Sequence, residues 1–176
     1  MRIIQKPGPD EYPAYSEIYM QLVPGDGRIL KHLEENFSTL KKLIYGLPES
    51  KLYYRYAENK WTIKEVLVHC VDDERIFAYR ALRYARNDKT ELPSFEQDDY
   101  TRYAGANERS LDNIFEEYEA VRNSTITLFN GLPDEAFERS GCLAGNTNRR
   151  TVRALVYHIA GHELHHLEII REKYLV

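Results

Sequence analysis

The sequence predicts an all-α protein built as a four-helix bundle. Three observations predict it. Apolar residues recur at three- and four-residue intervals in four long stretches, each making one apolar stripe. Residues that start helices, and glycine, proline or asparagine stops, bracket those stretches. Strand signal is sparse throughout the chain.

Residues 1–27 read as an irregular N-terminal arm with a helical turn or two around Glu17 to Leu22. Tyr12, Tyr15 and Tyr19 are spaced as a helical stripe and are expected to pack that arm. The first helix is predicted over 28–45, with Leu30, Leu33, Phe37, Leu40 and Ile44 as its stripe and Gly46 and Pro48 as its stop. The second is predicted over 62–86. Thr62 followed by Glu65 makes a capping box, and Trp61 and Val66 are placed as a hydrophobic staple. Val66, Val68, His69, Ile76, Phe77 and Leu82 continue it to Asn87-Asp88. The third starts on Ser110 and runs to Asn130, with Gly131 and Pro133 beyond. Its stripe is Leu111, Ile114, Phe115, Tyr118, Val121, Thr125 and Leu128. The fourth spans 151–174 and carries Leu155, Ile159, His162, His166 and Ile169 or Ile170. The connections over 88–109 and 132–150 are long, as functional lids or crossovers are.

A chain of 176 residues suits one domain, here 1–176, with a real core. The net charge of −4 lacks the concentrated basic face of a nucleic-acid binder. No segment approaches the ~20 apolar residues of a membrane span, and residues 1–10 hold no secretory h-region. Cys70 and Cys142 form no close motif, which points to a reducing, cytoplasmic setting. The sequons at Asn36 and Asn123 then read as chance matches.

The chemistry concentrates in His158-Ile-Ala-Gly-His162-Glu-Leu-His165-His166, which holds four of the six histidines. Neutral imidazole is the commonest protein ligand for zinc and similar ions. Positions i and i+4 share one helix face, so either His158/His162 or His162/His166 could grip one ion. His158 and His166 lie ~12 Å apart along the axis and cannot both do so. His69, seven residues past its N-cap, is the candidate third ligand. If the second and fourth helices are antiparallel, its depth matches His162/His166; if parallel, it matches His158. The long 88–109 link favours a crossover that makes the second and third helices parallel, with the fourth opposed. The plainer alternative is a polar helix face without a metal.

Neighbouring residues give weaker signals. Asp72 and Asp73 share the face of His69 and are read as a solvated turn, or as one ligand-orienting base. Arg75, Arg80, Arg83 and Arg86 are read as solvated or paired, with anion docking as the alternative. His165 is a relay, an outer partner or a surface residue. Cys70 points about 100° away from His69 and is read as packing. His162-Glu163-Leu164-His165-His166 matches the zincin H-E-x-x-H, but the extended pattern fails, with Ile169 and Glu172 at its Gly and His positions. Glu163 and His166 fit the di-iron Glu-x-x-His, yet the second such motif is missing, since Glu65 and His69 stand four apart.

Trp61-Thr-Ile-Lys-Glu-Val-Leu-Val-His69 together with Gly161-His162-Glu-Leu-His165-His166 resembles the DinB/YfiT-like family of small metal-dependent enzymes over essentially the whole chain. The resemblance implies a four-helix bundle of up-down-down-up topology. It implies one divalent metal, zinc or nickel first, on His69, His162 and His166. Some members are S-transferases or isomerases that use a low-molecular-weight thiol, others are called metal-dependent hydrolases, and homodimers are common. The expected function is therefore a metal-dependent thiol S-transferase acting on a small-molecule electrophile. The loops over 88–109 and 132–150 would shape its pocket, and Arg149, Arg150 or Arg153 would meet the thiol's carboxylates. Hydrolysis by metal-bound water and a non-catalytic metal-binding or stress-response module are the alternatives.

Overall fold

Residues 1–145 and 147–175 are described by a computed structural model; Asn146, one of the two asparagines of the 132–150 connection, lies outside them. Four long helices carry the predicted stripes. They are α2 (Ile29–Tyr45), α4 (Ile63–Ala85), α6 (Leu111–Gly131) and α7 (Val152–Ile169), the last extended by a wider π-helical segment, Ile170–Tyr174. Short elements precede and connect them: α1 (Glu17–Met20) ahead of α2, then α3 (Glu49–Leu52), α5 (Gln97–Tyr103), and the two-residue strands β1 (Ser140–Gly141) and β2 (Arg150–Thr151), which pair antiparallel.

The ends of α4 follow from its sequence. Thr62 Oγ1 accepts from the Glu65 amide at 3.1 Å, while the Glu65 carboxylate accepts from the Thr62 amide at 2.7 Å, closing the capping box. At the other end Asn87 takes the left-handed conformation, φ 57°, and the Asp88 amide bonds back to the Arg83 carbonyl at 3.0 Å. The sequence reading omitted α3 and took 88–109 and 132–150 as loops. α5, Gln-Asp-Asp-Tyr-Thr-Arg-Tyr, has no apolar stripe to announce it.

Side-chain pairs fix the helix directions. Thr62 meets Asn107 just before α6, and Glu74 and Arg75 meet Arg122 and Glu117, so α4 and α6 run parallel. Leu33, Lys41 and Tyr45 of α2 meet Arg122, Glu119 and Asp112, so those two run antiparallel. Trp61, His69 and Phe77 meet His166, His162 and His158, so α4 and α7 are antiparallel. The four directions in chain order are up, down, down, up.

The core divides in two along the bundle axis. One apolar cluster gathers Phe77, Ala81, Leu155, Val156 and Ile159 with Leu30 and Leu33. The other gathers Val66, Leu67, Val71, Leu167 and Ile170 with Phe37 and Phe115. Between them α4 and α7 bury His69, Asp73, Glu74, His158, His162 and Glu163. Charged and imidazole groups enter a core only when something offsets their lost hydration, so this polar layer is where chemistry is to be sought.

The arm is more ordered than its composition predicts. Ile4 and Met20 are buried, and the Ile4 carbonyl accepts from the Tyr157 hydroxyl at 2.9 Å. Glu11 pins the arm to the start of α7, accepting from Arg153 at 2.6 and 2.7 Å and from the Thr151 hydroxyl at 2.9 Å.

Candidate metal centre

α4 contributes His69 and α7 contributes His162 and His166. The Nε2 atoms of His69 and His166 stand 3.1 and 3.2 Å from His162 Nε2. One ligand nitrogen from each ring lies within 4.8 Å of the other two. Zinc–imidazole bonds of about 2.0–2.1 Å in tetrahedral geometry place ligand nitrogens about 3.3 Å apart. The spacing therefore fits one ion. A single ring nitrogen is a donor or an acceptor, never both at once, so three of them facing one another have no good pairing unless a cation sits between them.

The electrostatics agree. Burial pushes the His69 and His162 imidazoles below their usual range, His162 to about 3, against the opposing pull of the Asp73 carboxylate. Burial, then the neighbouring rings of His162 and His69, does the same to His166. At neutral pH all three are unprotonated, which is the state that binds metal. Burial alone would raise Asp73, but His162 and His158 hold its carboxyl well below the ordinary carboxylate range. The layer is thus three neutral imidazoles beside a buried anion, a charge pattern suited to a dication.

Asp73 lies outside the group of three converging histidines. Its Oδ2 lies 3.5 Å from His162 Nδ1, the ring nitrogen opposite the convergence point, and 3.7 Å from His158 Nε2. That is the carboxylate–histidine arrangement which orients a metal ligand from outside. The reading of Asp72 and Asp73 as a solvated turn is corrected here: Asp73 is buried against the histidines. His158 stays out of the ligand set and stacks on Phe77, centroids 3.9 Å apart.

Glu163 fills no general-base role at the histidines. It is buried on the opposite side of α7, where it accepts from the Tyr118 hydroxyl at 2.8 Å and from Arg122 at 3.2 Å. The zincin and di-iron matches are coincidences of spacing.

Sequence reasoning missed Tyr19. It was assigned to packing of the arm, yet its ring meets the edges of His158, His162 and His165 at 4.9 to 5.4 Å. Gly161 permits this, because a Cβ there would lie 2.2 Å from the Tyr19 carbonyl oxygen. Glycine in mid-helix is unfavourable by about 1 kcal/mol relative to alanine, so Gly161 was the available signal. The arginines proposed for thiol carboxylates are mostly engaged elsewhere: Arg153 binds Glu11 and Arg149 donates to Ser140 Oγ at 2.6 Å.

Two cavities open beside the histidines. One, about 280 Å³, is lined by His162, His158, Asp73, Tyr19, Phe77 and Arg80 among others. The second, about 310 Å³, lies at His166 with Trp61, Tyr56, Lys60, Asp98 and Tyr174. Gln97, at the start of α5, lines both.

The chain resembles known proteins at several levels. It is 26% identical over 143 residues to a protein of Oceanobacillus iheyensis whose name assigns it provisionally to the metal-dependent hydrolases; the match spans 81% of each chain. Among solved structures it superposes on YfiT of Bacillus subtilis, described as a probable metal-dependent hydrolase with an unusual four-helix bundle topology. The TM-score is 0.70 at 17% identity, over 85% of this chain and 89% of that one. A mycothiol-dependent maleylpyruvate isomerase matches with TM-score 0.64 at 11% identity, over 78% of this chain and 57% of the isomerase. Both structural likenesses are of fold. The family model of the DinB superfamily matches residues 32–170, a span that includes all four bundle helices but the first few residues of α2 and every histidine of the site. The chain belongs to the DinB superfamily.

Proposed function

We propose that His69, His162 and His166 hold one divalent metal ion and that the protein is a metal-dependent thiol S-transferase. The observation that carries this reading is the pair of cavities flanking the histidines, one reaching His162 and the other His166. A transferase brings two organic molecules to one centre; a hydrolase needs room for one. An ion held by three neutral imidazoles keeps its full charge and supplies Lewis acidity that lowers the pKa of a thiol or of water.

The protein's own residues do the rest. Asp73 orients His162 through Nδ1. Trp61, 4.7 Å from the His69 ring, walls the site on the side of the second cavity, and Tyr19 walls the first. α5 supplies Gln97 at the junction of the two spaces. Hydrolysis is the second reading, favoured by the name of the Oceanobacillus relative.

The test is a matched pair of assays on tag-free protein loaded with zinc or nickel. A fluorogenic haloalkyl electrophile is offered with bacillithiol, mycothiol or glutathione, and an activated ester is offered without thiol. Conjugation that requires both metal and thiol is the expected result. Metal-dependent ester cleavage with no conjugation would replace transfer by hydrolysis.

A further inference from the structure

The reading of the arginines at 75, 80, 83 and 86 as solvated or paired is corrected at Arg80. Arg75 pairs with Glu117 at 2.7 Å and Arg83 pairs with Asp88. Arg80 is 4% exposed, and among the described residues no carboxylate lies within ion-pair distance of it. Among the described residues it hydrogen-bonds from Nη2 to the Pro93 carbonyl at 3.1 Å. The guanidinium stacks near Phe77 and Phe95, 5.1 and 5.6 Å from the ring centroids. A buried cation without an anionic partner is costly, and ring faces return only part of that cost.

The placement of Arg80 gives the charge a use. His69, Asp73, Phe77 and Arg80 follow at spacings of four, four and three residues and so form one face of α4. Arg80 begins about 16 Å along the axis from His69, and helical side chains tilt back towards the N-terminus, here towards the histidines. It lines the same 280 Å³ cavity as His162. A second buried guanidinium, Arg150, also has no carboxylate partner among the described residues; it donates to the hydroxyl of Tyr15, which lines that cavity too. Asp73 and Glu96 are the acidic residues on the cavity wall. Asp73 faces His162, and Glu96 caps α5 by accepting from the Asp98 amide.

We propose that the cavity beside His162 takes a small carboxylate-bearing substrate whose anionic group is bound by Arg80 while its reactive end points to the three histidines. A guanidinium presents a planar fork of donors that matches a carboxylate. The volume, about 280 Å³, lies just below the roughly 300–1,000 Å³ of small-molecule sites and has room for a small acid or for one carboxylate arm of a larger molecule. This assignment names the substrate class of the transferase read above and rests on that reading for the reaction, but not for the anion site itself.

The test is therefore binding to metal-free protein, by calorimetry and thermal shift. Succinate stands for a carboxylate on the electrophile, S-methylglutathione for carboxylates on the thiol, and succinamide is the uncharged control. At least one of the two acids should bind wild type with a tenfold or greater loss in Arg80→Gln, and succinamide should not bind. Which acid responds identifies the molecule that carries the anion. Arg80→Gln should keep or raise the Tm of the ligand-free protein, because it removes an unpaired buried charge; Arg80→Lys should retain part of the binding. Absence of acid binding to wild type, equal binding by Arg80→Gln, or a lowered Tm in both variants would overturn the proposal. Zinc titration of Arg80→Gln separates the two claims: unchanged metal affinity leaves the metal centre standing whatever happens to the acids.

Discussion

α7 separates two buried polar regions that have opposite characters. On one side Arg122, 2% exposed, donates to both oxygens of Glu74 at 2.8 to 3.1 Å, to Glu163 and to the Leu33 carbonyl, and Tyr118 closes the second oxygen of Glu163. No side-chain atom of that cluster is left buried without a partner. On the other side the Nε2 atoms of His69, His162 and His166 face one another, and Asp73 Oδ2 stands 3.5 Å behind His162 at Nδ1. The closed region ties α2, α4, α6 and α7 together. The open one has spare valence. Three ring nitrogens turned on one another cannot all pair among themselves, so the second region is the one suited to a cation.

Breaking the closed side has the largest expected effect. Arg122→Ala strands two buried carboxylates and should cost about 3–5 kcal/mol of stability, the usual penalty for removing one partner of a buried ion pair. Urea denaturation checks it. A loss below about 1 kcal/mol would mean that the cluster is not what joins the helices.

Breaking the open side should do the reverse, sparing the fold and removing the ligand. His162→Ala and His166→Ala should each abolish tight metal binding while destabilising metal-free protein far less than Arg122→Ala does. His158→Ala should keep the metal. Isothermal titration with zinc reads all three, and loss of binding in His158→Ala alone would reassign the site.

Acid sharpens the contrast. Burial lowers His69, His162 and His166 from an ordinary 6.5, so the unfolded chain takes up protons that the folded chain refuses. Their contribution is fully present above pH 6.5 and is lost as pH falls towards the folded values. At pH 5 His162, held to about 3, costs about 2 kcal/mol relative to neutral pH. Metal-free protein should therefore melt lower at pH 5 than at pH 7.5, and His162→Ala should flatten that dependence. An unchanged slope in the variant would contradict it.

The smallest effect expected is that of Asp73→Asn, which keeps the shape and removes the charge behind His162. Metal affinity should fall on the order of tenfold, as for other outer partners of ligating histidines. Unaltered affinity would make Asp73 a bystander.

What could be read from the sequence follows the range of the interactions. The four long helices were legible because apolar stripes and the Thr62–Glu65 box are local patterns. The convergence of three histidines was legible because depth along two antiparallel helices places His162 and His166 against His69. Glu163 was misleading, since H-E-x-x-H spacing says nothing about which side of α7 the carboxylate faces; its partner Arg122 lies 41 residues away. Tyr19 was illegible for the same reason, since it reaches the histidines through a backbone crossing at Gly161. The four arginines of 75–86 could be noted as a group, but which of them lacks a carboxylate depends on contacts distant in sequence.

The most direct test of the central claim is metal content and coordination, by elemental analysis and X-ray absorption on protein purified without a histidine tag and offered zinc or nickel. The account predicts about one metal per chain, with three imidazole nitrogens and at least one exchangeable oxygen. A folded chain that takes up no metal, or an ion closed by a fourth protein ligand, would contradict it.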